Sequence, residues 1–402
     1  MLKLNNRVMS AVVTITLLSI VIDSRLAFAV AFFSMISFAD FRIPRGGFKI
    51  ILPLVIILMT STFMTLTDEN LTLWKITRGI FYFVQPIILV LLGVIIARSR
   101  IAWSHFLKQG FNLFLILTIL QSMYAFFMIA TGSTAEEVRY GNPFYSPAPL
   151  YLVVLCFGLN DWLKPHFGKK YYLLIALIAI MLSFSRTQYA ITILFLAVMY
   201  ARSAYESNFW RKTFSVSLKM ALALFIFIQF ADPVIMSKFI NSGIEAFSFL
   251  NLDDLNPVSQ YRSFEIFLLA QKLSLSGPIE NIFGFGLAAE LILPYTVSES
   301  LTEGTSIPVL HNSFGTVVLH SGFFGLFCYL YFIFLFLSYA KSMASTTNPK
   351  SPFDVKIVAW WLTIYFLVTG MVTHGLFYSY VVAFPLVLAG LLVSMKDEVS
   401  LT

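Results

Sequence analysis

The sequence predicts an all-α integral membrane protein, with about twelve transmembrane helices and both ends on the cytoplasmic side. Three observations carry that reading. The composition is too apolar for water, apolar runs near bilayer length recur along the chain, and Lys and Arg alternate from loop to loop. Of 402 residues, 58% are hydrophobic and 12% charged, with a mean hydropathy of +0.83. An average soluble domain carries roughly 25% charge. Half that charge cannot cover a globular surface, so lipid is the expected solvent. The 42 Phe residues suit helices that present bulky side chains to acyl chains. Cys156 and Cys328 each lie inside an apolar run, and two such thiols make no disulfide framework or metal site. Both read as small buried hydrophobes.

Backbone groups in hydrocarbon must be paired internally, so apolar stretches of about 20 residues read as helices. Spans are expected near 8–22, 26–40, 50–66, 79–97, 111–131, 148–160, 171–185, 187–201, 218–231, 322–340, 356–373 and 376–394. The start imitates a signal peptide, with Lys3 and Arg7 before an apolar run and Ala27-Phe28-Ala29 as a cleavage-like site. The sequence stays apolar to Phe38, so a retained second span is expected instead. With the N-terminus inside, the inner segments hold 19 of the 27 Lys and Arg and the outer segments the other 8. That bias follows the positive-inside rule. The net charge of +7 therefore belongs to a cytoplasmic face beside anionic lipid, and no nucleic-acid partner is expected. The expected organisation is nine spans in 1–230, an outside loop over 231–310, and three spans in 311–402.

A loop of this length is expected to be functional or to carry structure of its own. Asn256-Pro257 reads as an N-cap with Pro at the first helical position. The run after it groups Phe264, Phe267, Leu268 and Gln271 on one side and Arg262, Glu265 and Lys272 on another. The expectation is an amphipathic helix lying on the membrane surface, over 257–275. Gly277-Pro278 ends it, and Gly284-Phe285-Gly286 marks a tight turn.

Few arginines fall on the outside, and three of them stand out. Arg139 lies in Glu137-Val138-Arg139-Tyr140-Gly141-Asn142-Pro143, Arg186 in Ser183-Phe184-Ser185-Arg186-Thr187, and Arg262 opens the amphipathic run. Guanidinium groups bind phosphate through a bidentate fork, and charge near hydrocarbon is a functional candidate. The plainer reading pairs Arg262 with Glu265 and Arg139 with Glu136, while Arg186 has no acid nearby in sequence. His311-Asn312 stands where the loop re-enters the membrane, ahead of Gly322-Phe323-Phe324-Gly325. His311 reads either as a general base or as a residue that packs at a helix start. His320 and His374 read as structural, and His105 and His166 fall in expected inside loops. The sequence has no Gly-rich phosphate loop, nucleophile elbow or metal-binding His pair.

Four elements together resemble the bacterial O-antigen ligase and polymerase family. They are Ser183-Phe184-Ser185-Arg186-Thr187, Arg262 with Ile266 four residues later, Gly284-Phe285-Gly286, and His311-Asn312 followed by Gly322-x-x-Gly325. Ile266 stands where ligases more usually carry Leu. The resemblance implies a GT-C-like membrane glycosyltransferase of the bacterial inner membrane, with its active site facing the periplasm. Such an enzyme takes a glycan from undecaprenyl diphosphate and passes it to an acceptor glycan or to the lipid A core of lipopolysaccharide, using no cofactor and no metal. By carry-over, Arg186 and Arg262, with Arg139 as a third, would bind the substrate diphosphate. His311 would act on the acceptor hydroxyl, and Asn312 would fix the start of the helix that follows. Polymerase is the favoured reading, because Ile266 departs from the ligase pattern. Ligase is the first alternative, and a flippase or transporter of lipid-linked oligosaccharide is the second. A non-catalytic scaffold in a polysaccharide-assembly complex is the remaining one.

Overall fold

The computed structural model describes residues 13–17, 29, 44–66, 72–97, 100–158, 169–203, 261–299, 302–342, 354–373, 375–377 and 379–399. These residues are mostly helical. Five of the helices are long and apolar enough to cross a bilayer: α1 (Arg45–Thr65), α2 (Leu73–Ala97), α3 (Arg100–Ala130), α10 (Ser313–Ser342) and α11 (Val355–Val372). The shorter helices are α4 (Ala135–Gly141), α5 (Ala148–Gly158), α6 (Lys169–Leu182), α7 (Arg186–Ser203), α8 (Tyr261–Leu275), α9 (Pro278–Phe283) and α12 (Ser379–Val399). Several apolar helices of this length are compatible with a multi-pass membrane protein. The expected spans at 8–22, 26–40 and 218–231 lie almost wholly outside the described residues, as do His166, His374 and the Asn256-Pro257 cap. The third long helix begins at Arg100, well before the expected 111, so His105 is helical rather than in a loop.

The chain forms two compact units. One comprises 1–103, 242–335 and 369–402, and the other 104–241 and 336–368. In the first, α2 and α12 meet backbone to backbone. A methyl group on Gly93 would fall 2.0 Å from the Val387 carbonyl oxygen, and one on Gly390 would fall 2.0 Å from that of Val90. Small residues at such a crossing let two spans approach closely enough for dispersion to hold them together. Pro53, Pro86 and Pro385 sit inside α1, α2 and α12, as membrane-embedded helices tolerate.

The segment between α8 and α10 departs from the all-α expectation. After α9 the chain forms a hairpin, β1 (Leu291–Glu299) antiparallel to β2 (Thr302–Ile307), with Leu291 opposite Ile307 and Val297 opposite Gly304. The ladder is irregular between Ile292 and Val297, where Pro294 has no N–H to donate. Leu291 and Leu293 are buried while Ile292 between them is exposed, the period of two that defines a strand. That hairpin changes the role of α8. The helix buries Ser263, Glu265 and Leu269 and packs Ile266 and Leu273 against Leu291, Leu293, Ile307, Leu310 and Val318. Gln271, grouped with the apolar side in the sequence, is exposed. Helix α8 therefore packs one side, through Ile266, Leu268, Leu269 and Leu273, against the hairpin and the start of α10.

Helix α10 breaks at Gly322, whose φ of 64° and ψ of −166° are non-helical. The break frees the carbonyls of Leu319 and His320. The N–H groups of Phe285 and Gly286 take them, at 2.9 and 3.1 Å. The expected turn at Gly284-Phe285-Gly286 thus caps the kink, with both glycines at positive φ. A methyl group on Gly322 would stand 2.2 Å from the Ile282 carbonyl oxygen. Gly322→Ala is expected to cost more than 2 kcal/mol, from a left-handed φ of roughly 1–2 kcal/mol plus a backbone clash. Gly132→Ala is the control, since Gly132 has φ of 83° but nothing within 4 Å. Thermal unfolding in detergent compares the two, and equal losses would mean that the kink relaxes freely.

The second unit is built on aromatic packing. Tyr151 of α5 meets Phe114 at 5.1 Å and Trp361 at 6.2 Å, and Trp361 stacks on Tyr365 at 4.8 Å. Every residue of α5 is buried, which suits a core helix of 11 residues. Cys156 on it and Cys328 on α10 are both buried free thiols. Asp354 caps α11 through Oδ1, which accepts the N–H groups of Lys356 and Ile357 at 3.0 and 3.2 Å.

Candidate functional site

The candidate residues fall into both units. His311 and Asn312 lie at the start of α10 and Arg262 and Glu265 on α8, all in the first unit. Arg139 ends α4 and Arg186 begins α7, both in the second.

His311 is the most tightly specified of them. Its Nδ1 lies 2.8 Å from Glu265 Oε1, and its backbone N–H donates to Glu265 Oε2 at 2.8 Å. Both carboxylate oxygens therefore contact one residue. An ionised carboxylate only accepts, so against Glu265 the Nδ1–H is the donor and the ring orientation is fixed. The Glu265 side chain is 2% exposed and that of His311 25%, which leaves the ring partly open on one side. The residue is held from behind as well. Asn312 Oδ1 accepts the Gly315 N–H at 3.0 Å, capping α10, while its amide donates to the Met371 carbonyl at 3.2 Å. The Leu310 N–H donates to Thr316 Oγ1 at 2.9 Å. A general base works best when its orientation is fixed before substrate arrives. Arg262 stands one turn before Glu265 on the same helix, a spacing that makes two side chains neighbours.

His320 has the opposite character. It is buried with Nδ1 and Nε2 each 2.7 Å from a carbonyl oxygen, those of Gly286 and Pro308. It ties the glycine turn to the strand end that leads to His311, the structural role its sequence position suggested.

In the second unit, helix α4 opens with a capping box: the Glu137 N–H donates to Thr134 Oγ1 at 3.3 Å, and the Thr134 N–H to Glu137 Oε2 at 2.7 Å. This places Arg139 in the last turn, with its guanidinium over the Tyr140 ring at 5.1 Å. The side chain of Glu136, its expected partner, lies outside the described residues. Before Arg186 the chain makes a sharp turn with Phe184 at φ of 48°. Ser183 Oγ donates to the Ile180 carbonyl at 2.6 Å and accepts the Ser185 N–H at 3.2 Å. Arg186 therefore begins a helix at its electropositive end. Gln188 donates to the Ser146 carbonyl at 3.3 Å, and Asn142 to that of Gln121 at 3.1 Å. These bonds lock the loop after Arg139 onto α3 and α7. Arg139 also lies within electrostatic reach of Tyr189, one turn beyond Arg186. Two of the predicted arginines thus share one end of this unit.

A second charged cluster went unnoticed in the sequence. Glu290 is paired with Arg78 and, at 2.9 Å, with Lys75, and it accepts from Ser306 Oγ at 3.1 Å. Lys272 Nζ donates to the Glu290 carbonyl at 3.0 Å and lies 4.6 Å from the centre of the Phe285 ring. Burial raises the Glu290 carboxyl, but the hydrogen bonds and charges of Lys75 and Arg78 outweigh it and hold the group below the usual carboxylate range. Arg78 in the first turns of an apolar helix was the available signal, as a charge at the edge of hydrocarbon. The Glu265–His311 pair had a weaker one, since Glu265 has an equally good partner on its own helix in Arg262.

No protein-family model and no curated protein matches this chain.

Proposed function

We propose that this chain is a membrane glycosyltransferase that extends a surface polysaccharide, moving a glycan from undecaprenyl diphosphate to an acceptor sugar on the periplasmic side of a bacterial inner membrane. One observation carries the reading. Glu265 holds His311 by its backbone N–H and its Nδ1 together, on a side chain that is 25% exposed. In the proposed step the acceptor hydroxyl oxygen bonds to the anomeric carbon and its proton passes to His311 Nε2. The bond from that carbon to the diphosphate oxygen breaks, and the electron pair leaves with the diphosphate. Arg262, one turn before Glu265 on α8, is proposed to stabilise the charge that develops there, and the resemblance implies the same role for Arg186 and Arg139. The resemblance in the Arg186, Arg262 and His311-Asn312 elements supplies the substrate class.

Disrupting the gene tests the reading at the level of the cell surface. Single repeat units on lipid A are the expected result for a lost polymerase. Polymer stranded on the lipid carrier, with none attached, would make the chain a ligase. Arg262→Ala and Arg186→Ala are each expected to lower transfer about 10²-fold or more, the usual cost of removing one preorganised donor. Normal glycan in both variants at normal protein level would exclude the enzymatic reading and favour transport.

A further inference from the structure

The stretch between α8 and β1 turns its apolar side chains away from the protein. Leu275 is 82% exposed and Ile279 61%, and Ile282 and Phe283 are exposed beside them. Within α9, Ile279 lies three and four residues before Ile282 and Phe283, which puts these three on one side of the helix, and Leu275 ends α8 just ahead of them. The polar residues face the other way. Glu280 and Asn281 are half-buried, and Asn281 Oδ1 accepts from Ser276 Oγ at 3.0 Å. A surface that meets water has the reverse arrangement.

The stripe continues into the exposed face of a spanning helix. Phe283 meets Phe324 edge-on at 5.9 Å. From there Phe323, Phe327, Leu330 and Phe334 form an exposed row along α10, with Phe327 66% exposed. Helix α9 also packs on α1, which presents Met59 and Phe63 outward in the same manner. Since α1 and α10 are long and apolar enough to cross a bilayer, their exposed apolar faces meet acyl chains.

Hydrocarbon demands internal pairing of irregular chain, and four N–H groups of this stretch have it. The N–H groups of Asn281 and Gly284 donate to the carbonyls of Gly277 and Glu280 at 3.1 and 2.7 Å. Those of Phe285 and Gly286 close the kink carbonyls of α10.

We propose that Leu275, Ile279, Ile282 and Phe283 lie among phospholipid acyl chains, so that the segment 275–286 is a wedge embedded in the leaflet at the level of the Gly322 kink. The wedge is then a part of the segment between α8 and α10 that enters the leaflet. Residues 313–321 separate His311 from the kink, about 13 Å of helix at the usual rise. Its immersion fixes how far His311 stands from the acyl chains, whatever reaction His311 serves.

Spin labels at Ile279→Cys and Ile282→Cys test this in phosphatidylethanolamine and phosphatidylglycerol vesicles, with Cys156 and Cys328 replaced by alanine. Phe327→Cys serves as the lipid reference and Gln271→Cys as the water reference. The expected result is collision with oxygen well above collision with a water-soluble nickel chelate at both positions, matching Phe327. Nickel access like that of Gln271 would overturn the proposal, and so would shielding from both probes, which would mean a protein covers the stripe. The unaltered chain supplies a second measurement with a phospholipid carrying a diazirine in its acyl chain. Carbene adducts are expected on the peptide holding residues 275–283, and their absence beside labelled α10 would refute the wedge.

Discussion

Asparagine in place of His311 is expected to lower the proposed glycan transfer by about 10²–10⁴-fold, the range set by a positioned acid or base, while the protein folds normally. Asparagine is chosen because its amide nitrogen sits near where Nδ1 stood, so it still donates to Glu265 Oε1. It has nothing in place of Nε2. Alanine is the less informative change. It would leave Glu265, whose side chain is 2% exposed, without its partner. An orphaned buried carboxylate costs several kcal/mol, so an inactive His311→Ala protein does not separate lost chemistry from lost folding. Glu265→Gln is the companion variant. Glutamine keeps one acceptor but turns an amide toward either Nδ1–H or the His311 N–H, so one of the two contacts becomes donor against donor. The expected loss is smaller than that of His311→Asn and falls on kcat with KM nearly unchanged, because a positioning residue touches no substrate. Glu265→Asp keeps the charge and is expected to recover part of the rate. Purified protein in lipid nanodiscs, supplied with a lipid-linked repeat unit, gives both constants. Wild-type rates in His311→Asn would remove the imidazole from the reaction.

The membrane class was legible because it rests on composition and on long apolar runs. These survive any error in boundaries, and α1, α2, α3, α10 and α11 all fall on expected spans. What the periodicity missed has specific causes. Helix α8 was oriented by its aromatic residues, yet its inner side is set by Glu265, Ile266 and Leu269, because the hairpin and the His311 backbone lie there. Nothing local in Leu291–Ile307 announces a hairpin that interrupts an otherwise helical chain, since its Pro294 and its short alternation also fit a loop. The kink was half legible. Gly322-x-x-Gly325 and Gly284-Phe285-Gly286 were each noted, but that one turn supplies the N–H groups the other needs is a relation across some 35 residues. Charge pairs at such separations follow no spacing rule, which is why Glu290 and its cations escaped.

Those cations lead to the largest expected change in stability. Glu290→Gln removes the carboxylate facing Arg78, whose side chain is 8% exposed. The buried guanidinium is left uncompensated, a loss of about 3–5 kcal/mol. Lys75→Met removes the other ion pair, but Lys75 is 38% exposed, and solvent screening holds its loss to about 1 kcal/mol or less. The two variants thus separate a buried pair from a screened one on the same carboxylate. The sign of the pH dependence follows from the lowered Glu290 carboxyl. Its contribution is fully present above the unfolded value, near 4.3 for a glutamate. It is lost as pH falls through the lower folded value, so neutral and mildly acid buffers leave it intact. Arg78→Met combined with Glu290→Leu is expected to restore most of the loss, because two apolar residues of similar size need no counter-charge. Reversible unfolding in mixed detergent micelles measures all four proteins. A Glu290→Gln loss no greater than that of Lys75→Met would mean that Arg78 finds water or another acceptor. The same cluster bears on transfer. Lys272, bonded to the Glu290 carbonyl, lies seven residues from Glu265, two turns along α8 on the same side. Because Glu290→Gln disturbs the carboxylate and spares that carbonyl, α8 keeps its anchor. Its rate is expected to survive below the melting range, whereas a rate that falls in step with stability would make the cluster part of the frame that aims His311.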